Sequence, residues 1–436
     1  MTRWSHQLVP HSLFCLVTCM VLFGLVMVYS SSAFTDYRGS RNDWKRAVDE
    51  SVGQATGVAS NSSSRFVPGV ASVPTLEGLR AREASRRASM FSSFLKQCCW
   101  AFVGFIALAF AAMVDYPRWG KRIGWVMFLV LAFQIALFAI PANTGLPIQS
   151  KIINGARSWL QIFSLRIQPS EMAKVGLIIF TAWYLARNLA KEKIHLYQYL
   201  PGLLVIAFSI GLILVESDKG VAVHLCLALL VLWMFAVGRF SHVVVLGGLA
   251  GSVIGLVIWL SPNAMIRIRG LFGENSYHMK QSFDALTGGG MFGIGLGDSN
   301  ASLAHLPAAH TDFILAVIGE ELGFIFTAAL VAGYLAITLL GFKIAAGSGD
   351  PFGTLLALGF TTLIASQAFL NMAVVTGLVP TTGFTLPLVS YGGSSLTWTM
   401  VGIGILINIS LSAHNNLLGD WNRDKVAPFG KGRELA

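Results

Sequence analysis

Long apolar stretches separated by short polar segments run along most of the chain. A membrane-spanning helix needs about 20 consecutive apolar residues, and by that measure the pattern predicts about ten spans. The protein is therefore expected to be an all-α polytopic membrane protein. The predicted spans are approximately 11–33, 97–114, 122–140, 170–190, 200–216, 220–238, 241–261, 311–342, 353–379 and 391–413.

The short loops indicate the orientation of these spans. Lys and Arg cluster at 118–122, at 187–193 and in the basic tail, 414–436. Positive charge in short loops marks the cytoplasmic side of a membrane protein, and the predicted spans place all three clusters on one side. Both termini are therefore predicted to be cytoplasmic.

This topology leaves three sizeable external loops, at 34–96, 141–169 and 262–310. The first carries ten basic residues and opposes the positive-inside rule, but the rule applies only weakly to a loop of that length. Much of this loop is small, polar and flexible in composition, and its end, 76–90, is expected to form a basic amphipathic helix on the membrane surface. No loop shows the apolar periodicity of a soluble domain, so residues 1–436 are predicted to form one membrane domain.

Composition supports the membrane assignment and argues against a nucleic-acid partner. Hydrophobic residues make up 54% of the chain and charged residues 12%, against roughly 25% charged in soluble domains. The net charge of +10 would suggest nucleic acid in a soluble protein, but topology and anionic lipid explain it here. No nucleic-acid partner is therefore expected. The five cysteines lie in or beside apolar runs without zinc-like spacing and are interpreted as small core residues.

The first candidate for chemistry is Asp312, within a glycine-rich, nearly uncharged stretch that leads into an apolar helix, 287–323. Thr311 can cap that helix through its hydroxyl. Asp312 would then lie in the first turn, where the helix dipole favours a carboxylate. Position alone leaves open whether Asp312 is catalytic or only helps to cap the helix.

Charged residues at membrane depth indicate function unless they form a structural ion pair. Glu171 and Lys174 are three apart at the start of a span that Pro169 would initiate, so they can pair on one helix face. A structural ion pair and a substrate role both stay open. The polar candidates of this region are Arg157, Arg166, Gln168, Glu171 and Lys174.

Another charged cluster lies between the fifth and sixth predicted spans. Glu216, Asp218 and Lys219 form a tight external turn closed by Gly220. A cation site is the alternative, and the turn is interpreted as a solvated one.

Four polar residues are predicted to lie deeper in the later spans. Glu320 and Glu321 are about 12 Å deeper than Asp312, at a rise of about 1.5 Å per residue, so at least one should face the bundle interior. Gln367 and Asn371 are four apart and face one way, as interhelical hydrogen-bonding partners do.

Two segments rich in Gly and Pro are predicted to be irregular. Gly293, Gly295 and Gly297 match part of a dinucleotide-binding fingerprint, but no strand is predicted before them. They are interpreted instead as a tightly folded external loop. The prolines and glycines of 377–395 prevent a regular helix there. The external loops are therefore predicted to be irregular, and these two segments are predicted to wall a cleft on the external face.

The ordered motifs resemble those of the SEDS family, the FtsW, RodA and SpoVE group of bacterial cell-wall synthesis. The resemblance rests on NGARSWL with LRIQPSEMAK (154–174), on GGGMFGIGLGDS with LPAAHTDFILAVIGEELG (288–323), and on GLVPTTGFTLPLVSYGGSSL (377–396). The motif TTGFTLPLVSYGGSS is more similar to the FtsW and SpoVE branch than to RodA. This similarity favours a role in cell division over elongation.

The resemblance implies an inverting peptidoglycan glycosyltransferase that polymerises lipid II, with a class B penicillin-binding protein and other divisome membrane proteins as partners. It implies location in the bacterial inner membrane at the division septum. Asp312, in the HTDF motif, would take the proton of the attacking sugar hydroxyl. Arg157, Arg166 and Lys174 would bind the departing diphosphate, with a divalent cation (Mg or Mn) and no organic cofactor. Further substrate-binding candidates in the same motifs are Gln168, Glu171, His310, Ser394 and Ser395.

Two other functions stay open at this point. A lipid II flippase would also place basic residues and carboxylates inside a helix bundle. A catalytically weak division scaffold is suggested by departures from the family pattern, since Ala308 replaces a usual Glu, Ser158 a usual basic residue, and ESDKG the usual (E/Q)PDxG turn.

Overall fold

The computed structural model describes residues 8–31, 76–142, 144, 146–153, 156–163, 165–189, 196–238, 240–259, 261–272, 277–297 and 309–426. Most of the first external loop, Ala308 and the end of the basic tail lie outside these residues. A short 3₁₀ helix, Leu196–Tyr199, precedes α6. The α-helices are α1 (Leu8–Ser31), α2 (Leu76–Met113), α3 (Tyr116–Lys121), α4 (Ile123–Ala139), α5 (Pro169–Leu189), α6 (Leu200–Val215), α7 (Lys219–Val237), α8 (Phe240–Trp259), α9 (Pro262–Phe272), α10 (Tyr277–Gly288), α11 (Ile314–Gly347), α12 (Pro351–Val375) and α13 (Gly393–Val426).

Each of the ten predicted spans coincides with one of these helices. Within the described residues, seven helices are long and apolar enough to cross a membrane: α1, α2, α7, α8, α11, α12 and α13. α4 and α6 are apolar but shorter, and α5 carries Glu171, Lys174 and Arg187. The chain is thus a multi-pass membrane protein. The count of ten crossings and the side of the termini stay predictions.

α12 lies at the centre of the bundle, where it packs against α5, α7 and α11. Gly359 of α12 permits a close approach, because a Cβ there would lie 2.6 Å from the Ile178 side chain of α5. α2 packs along α13, whereas α8 contacts mainly α7 and α9 and its central residues are not buried. The polar start of α5 is therefore central, and α8 is peripheral.

Three short strands form an antiparallel sheet, in the order β1-β2-β3, within the second external loop. The expectation of irregular external loops was wrong here. A sequence signal was available, since Asn154-Gly155 stands between the Ile-rich run 148–153 and the run 156–162 with Trp, Leu and Ile, and that dipeptide favours a tight hairpin turn. The strands are β1 (Ile148–Ile153), β2 (Ala156–Ile162) and β3 (Leu165–Ile167).

Two further expectations about the external loops were wrong. The third loop contains α9 and α10 rather than only irregular chain. The basic segment 76–90 is helical, but it continues without a break into the apolar part of α2 instead of forming a separate surface helix. The physical reason is that no Gly or Pro interrupts residues 79–103, so nothing in the backbone ends the helix there.

Candidate functional site

Asp312 lies in a turn before α11, not inside its first turn. α11 begins at Ile314, and its N-cap is Phe313, which makes no side-chain capping bond. The prediction that Thr311 caps the helix was therefore wrong. The carbonyls of this turn are bound from elsewhere, by Ser390 Oγ at 2.6 Å from Thr311 O and by Asn371 Nδ2 at 2.8 Å from Asp312 O. These tertiary bonds stabilise a turn in place of helix.

The segment between α12 and α13 packs directly against this turn. Tyr391 N donates to His310 O at 3.0 Å. Gly383, with a φ of 81°, approaches Asp312 so closely that a Cβ added there would lie 3.9 Å from its Oδ2. The segment between α12 and α13, one of the two predicted to wall a cleft, therefore lies against the turn that carries Asp312.

Burial and two neighbours set the pKa of Asp312. Burial raises the pKa of this partly exposed carboxyl to about 6, while a hydrogen bond from Thr311 and the charge of Arg267 both lower it. Arg267 lies on α9 and donates through Nη1 to Thr381 O at 3.3 Å. A carboxyl with a pKa near neutrality can accept a proton and release it again.

The sequence analysis missed Arg267. It singled out cations within the three motifs, and Arg267 lies outside them, in the third external loop. The only available signal was that Arg267 is a basic residue in the external loop that precedes Asp312 in the sequence. That signal is weak, because Arg269 shares it.

Glu171 and Lys174 form the predicted ion pair, with 2.8 Å between Lys174 Nζ and Glu171 Oε2. Their side chains are only 8% and 3% exposed. Lys174 also donates to Gln367 Oε1 at 2.9 Å, and Gln367 Nε2 donates to Thr385 O at 3.0 Å. The pair thereby anchors α5 to α12 and to the segment beside Asp312. A substrate role for either charge stays a prediction.

The interhelical role predicted for Gln367 is confirmed by its bond to Lys174 of α5, whereas Asn371 donates to irregular chain instead of to another helix. Asn371 Nδ2 donates to Phe384 O at 2.7 Å as well as to Asp312 O. Both α12 side chains therefore hold the irregular segment between α12 and α13 in place.

The turn between α6 and α7 is only partly solvated, which corrects the prediction: Ser217 is exposed, whereas Glu216 is buried and Asp218 is partly buried. Asp218 accepts from Gln168 Nε2 at 2.7 Å and from Ser170 Oγ at 3.2 Å. Glu216 is fully buried, and this burial, with the nearby charge of Asp218, raises its pKa to about 8. Ser217 has a φ of 66°, which a proline ring cannot adopt, so the ESDKG sequence forms a turn that a proline at this position would prevent.

The two arginines predicted to bind diphosphate have different surroundings. Arg157 donates to Phe138 O at 3.2 Å, to Ser150 Oγ at 2.9 Å and also to Ile140 O, so it ties β2 to the end of α4. Arg166 is exposed on β3.

Arg166 lies within electrostatic range of Tyr391, just before α13. Burial raises the pKa of Tyr391, and the charge of Arg166 lowers it. The Tyr391 ring packs edge-on against the ring of His310, with 5.6 Å between centroids. The exposed Arg166 is therefore the more accessible of the two predicted arginines.

The two serines predicted to bind substrate lie at the start of α13 and are buried. Ser394 Oγ accepts from Gln168 N at 3.3 Å, and Thr385 Oγ1 lies 3.2 Å from Ser395 Oγ. These bonds connect α13 to the start of α5 and to the segment beside Asp312.

The sequence analysis also missed Gln97, which is buried on α2. Its Nε2 donates to Ser390 O at 3.3 Å, and its Oε1 accepts from Gly392 N at 3.4 Å. Ser390 in turn donates to Thr311 O. Gln97 therefore connects α2 to the turn that carries Asp312.

The glycine-rich loop folds tightly, as predicted. Ile294 N donates to Glu320 O and Gly295 N to Glu321 O, both at 3.0 Å, where α11 is kinked at Gly323 with a φ of 82°. Both glutamates are buried, and Ser30 Oγ donates to Glu321 Oε2 at 2.6 Å. The inward orientation predicted for at least one glutamate is confirmed for both.

Within the described part of the chain, no group of three or more His, Cys, Asp or Glu side chains could hold a metal ion. Mg²⁺ commonly binds through one or two carboxylates together with substrate phosphates. The divalent cation that the resemblance implies therefore has no cluster of three protein ligands among the described residues, and its role stays a prediction.

Comparison with known proteins decides the family. The family model for the FtsW, RodA and SpoVE cell cycle proteins matches residues 75–415. The chain belongs to this family. The matched region of the FtsW, RodA and SpoVE family begins at the start of α2 and includes Arg267, Asp312 and the segment between α12 and α13.

Individual relatives agree with this assignment. A protein named "Probable peptidoglycan glycosyltransferase FtsW" from Geobacter sp. (strain M18) is 36% identical over 327 residues, which cover 73% of this chain and 86% of the relative. Stage V sporulation protein E from Bacillus subtilis (strain 168) is 34% identical over 323 residues, with 72% and 86% covered.

A solved structure has the same fold. It is a chain from the study "Structural coordination of polymerization and crosslinking by a peptidoglycan synthase complex", with a TM-score of 0.62 and 23% identity. The similarity covers 74% of this chain and 90% of that chain. The family match and the two relatives confirm the resemblance of the motifs to the FtsW, RodA and SpoVE group.

Proposed function

We propose that this protein is a peptidoglycan glycosyltransferase that polymerises lipid II during cell division, with Asp312 as the general base. One observation carries the role of Asp312. Its partly exposed carboxyl lies in a turn that packs against the irregular segment between α12 and α13, with a pKa of about 6 and the charge of Arg267 nearby. Such a carboxylate can accept a proton at neutral pH in a site that also favours an anion.

The proposed reaction is a single displacement at the anomeric carbon. The 4-hydroxyl of one sugar attacks C1 of the next, and its proton moves to the Asp312 carboxylate. The bond from C1 to the diphosphate oxygen breaks, and its electron pair leaves with the polyprenyl diphosphate, so the configuration at C1 is inverted. A divalent cation, Mg or Mn, would neutralise charge on the departing diphosphate.

The partner is proposed to be a class B penicillin-binding protein, at the division septum. Support comes from the fold shared with a chain of a complex that joins polymerization with crosslinking. The relatives named FtsW and SpoVE favour the division branch over the elongation branch.

The decisive experiment reconstitutes the protein with its class B partner and labelled lipid II, and compares wild type with Asp312→Ala and Asp312→Asn. Glycan polymer should be lost in both variants, since neither side chain can accept the proton. Transfer of the lipid headgroup across the bilayer without polymer, unchanged in Asp312→Ala, would instead support a flippase. Neither activity in the wild type would support a scaffold.

A further inference from the structure

Arg267 presents an accessible guanidinium beside the proposed base. Its side chain is exposed, and Nη1 donates to Thr381 O at 3.3 Å. Among the residues that the structure describes, this bond uses one of the five N–H donors of the guanidinium. The remaining donors can bind an anion, and the bond to Thr381 restrains where they point.

Arg267 and Asp312 approach the same short stretch of chain. Thr381, which accepts from Arg267, is two residues before Gly383, whose added Cβ would lie 3.9 Å from Asp312 Oδ2. The charge of Arg267 also acts on the Asp312 carboxyl. An anion bound at Arg267 would therefore lie beside the group that receives the proton.

The other predicted cations are less available for this position. Lys174 is buried in its bonds to Glu171 and Gln367. Arg157 donates to carbonyls at the end of α4. Arg166 is exposed on the β3 side of the turn, near Tyr391.

The reaction itself indicates which anion belongs beside the base. Two polyprenyl diphosphates take part, one on the donor and one on the acceptor. The acceptor hydroxyl that gives its proton to Asp312 lies a disaccharide length from the acceptor's own diphosphate. The donor C1 that this hydroxyl attacks is bonded directly to the donor diphosphate.

We propose that Arg267 binds the diphosphate of the donor lipid and stabilises its negative charge as it leaves. This inference rests on the proposed function of Asp312. A planar guanidinium suits the task, because it can offer two parallel hydrogen bonds to phosphate oxygens.

The kinetic test compares Arg267→Gln and Arg267→Lys with wild type in the reconstituted complex. Loss of a preorganised donor to a developing anion slows turnover by about 10²- to 10³-fold, so Arg267→Gln should lose that much kcat. Arg267→Lys should recover part of the lost kcat, because lysine keeps the positive charge but lacks the two parallel N–H donors of the guanidinium. Arg269→Gln is the matched control. Arg269 is also exposed on α9, but residues two apart do not share a helix face, so its activity should stay within about twofold of wild type.

The pH dependence separates binding of the diphosphate from an effect on Asp312 alone. Loss of the Arg267 charge raises the pKa of Asp312, and a higher pH ionises the carboxyl again, so an effect on Asp312 alone should disappear at high pH. If Arg267 binds the diphosphate, Arg267→Gln stays slow there. Recovery of wild-type turnover above pH 8 would overturn the proposal.

A binding measurement keeps the test independent of turnover. The probe is farnesyl diphosphate, titrated into the complex that carries Asp312→Asn, with and without Arg267→Gln. Loss of a charged hydrogen bond should raise the Kd about tenfold or more. An unchanged Kd would overturn the proposal that Arg267 binds the diphosphate. Continued polymerisation by Asp312→Asn would instead overturn the proposal that Asp312 is the general base, without affecting the binding result.

Discussion

The ion pair between Glu171 and Lys174 offers a sharp test of what holds the centre of the bundle. The variants are Glu171→Gln, Lys174→Met and the double variant. The two charged atoms are 2.8 Å apart, and the side chains are 8% and 3% exposed. Removing either one leaves the other charge buried without its counter-ion, which costs about 3–5 kcal/mol.

The double variant should be much more stable than the sum of the single losses predicts. Replacing both partners removes the buried charges together, and such replacements are often nearly neutral. Additivity would give a loss of about 6–10 kcal/mol. We expect the double variant to lose less than either single one, because the Met side chain fills the apolar space of Lys174 and neither charge of the pair remains.

The assay is reversible unfolding of the purified protein by SDS, analysed as a double-mutant cycle. Polymerisation of lipid II by the stable double variant then tests whether Glu171 or Lys174 also binds substrate. Inactivity at wild-type stability would assign Lys174 or Glu171 to the substrate, and full activity would assign the pair to structure. A loss below about 1 kcal/mol for Lys174→Met, or additive losses in the double variant, would refute the reasoning about buried charge.

Two further predictions concern the turn that carries Asp312. Because burial raises the pKa of Asp312 to about 6 and the base must be ionised, turnover should fall about tenfold per pH unit below 6 and level off above it; a profile flat from pH 5 to 8 would contradict this. In Gln97→Leu, Ser390 O and Gly392 N lose their partner, so kcat should fall about tenfold, at roughly 1.4 kcal/mol per factor of ten, with KM for lipid II within about twofold. Wild-type kcat with only a lower melting temperature would show that Gln97 stabilises the fold without positioning the base.

The sequence by itself determined the helices and the local pairings. Hydrophobic runs decide where membrane helices form, because backbone polar groups in lipid must be satisfied within the segment. The pairing of Glu171 with Lys174 follows from helix geometry over three residues, and Pro169 marks the start of that helix. Proline and glycine likewise made the irregular chain between α12 and α13 predictable.

Only the tertiary structure decided the surroundings of the proposed base. Asp312 lies outside the helix because Asn371 and Ser390 bind the carbonyls of its turn. Asn371 is 59 residues from Asp312 along the chain, and Ser390 is 79 residues from Thr311. Arg267 reaches the same place from α9 through Thr381, 114 residues away. No local pattern encodes such contacts, because they depend on how separate helices pack. The residues that surround Asp312 are therefore a property of the folded chain, although Asp312 itself was predicted from the sequence.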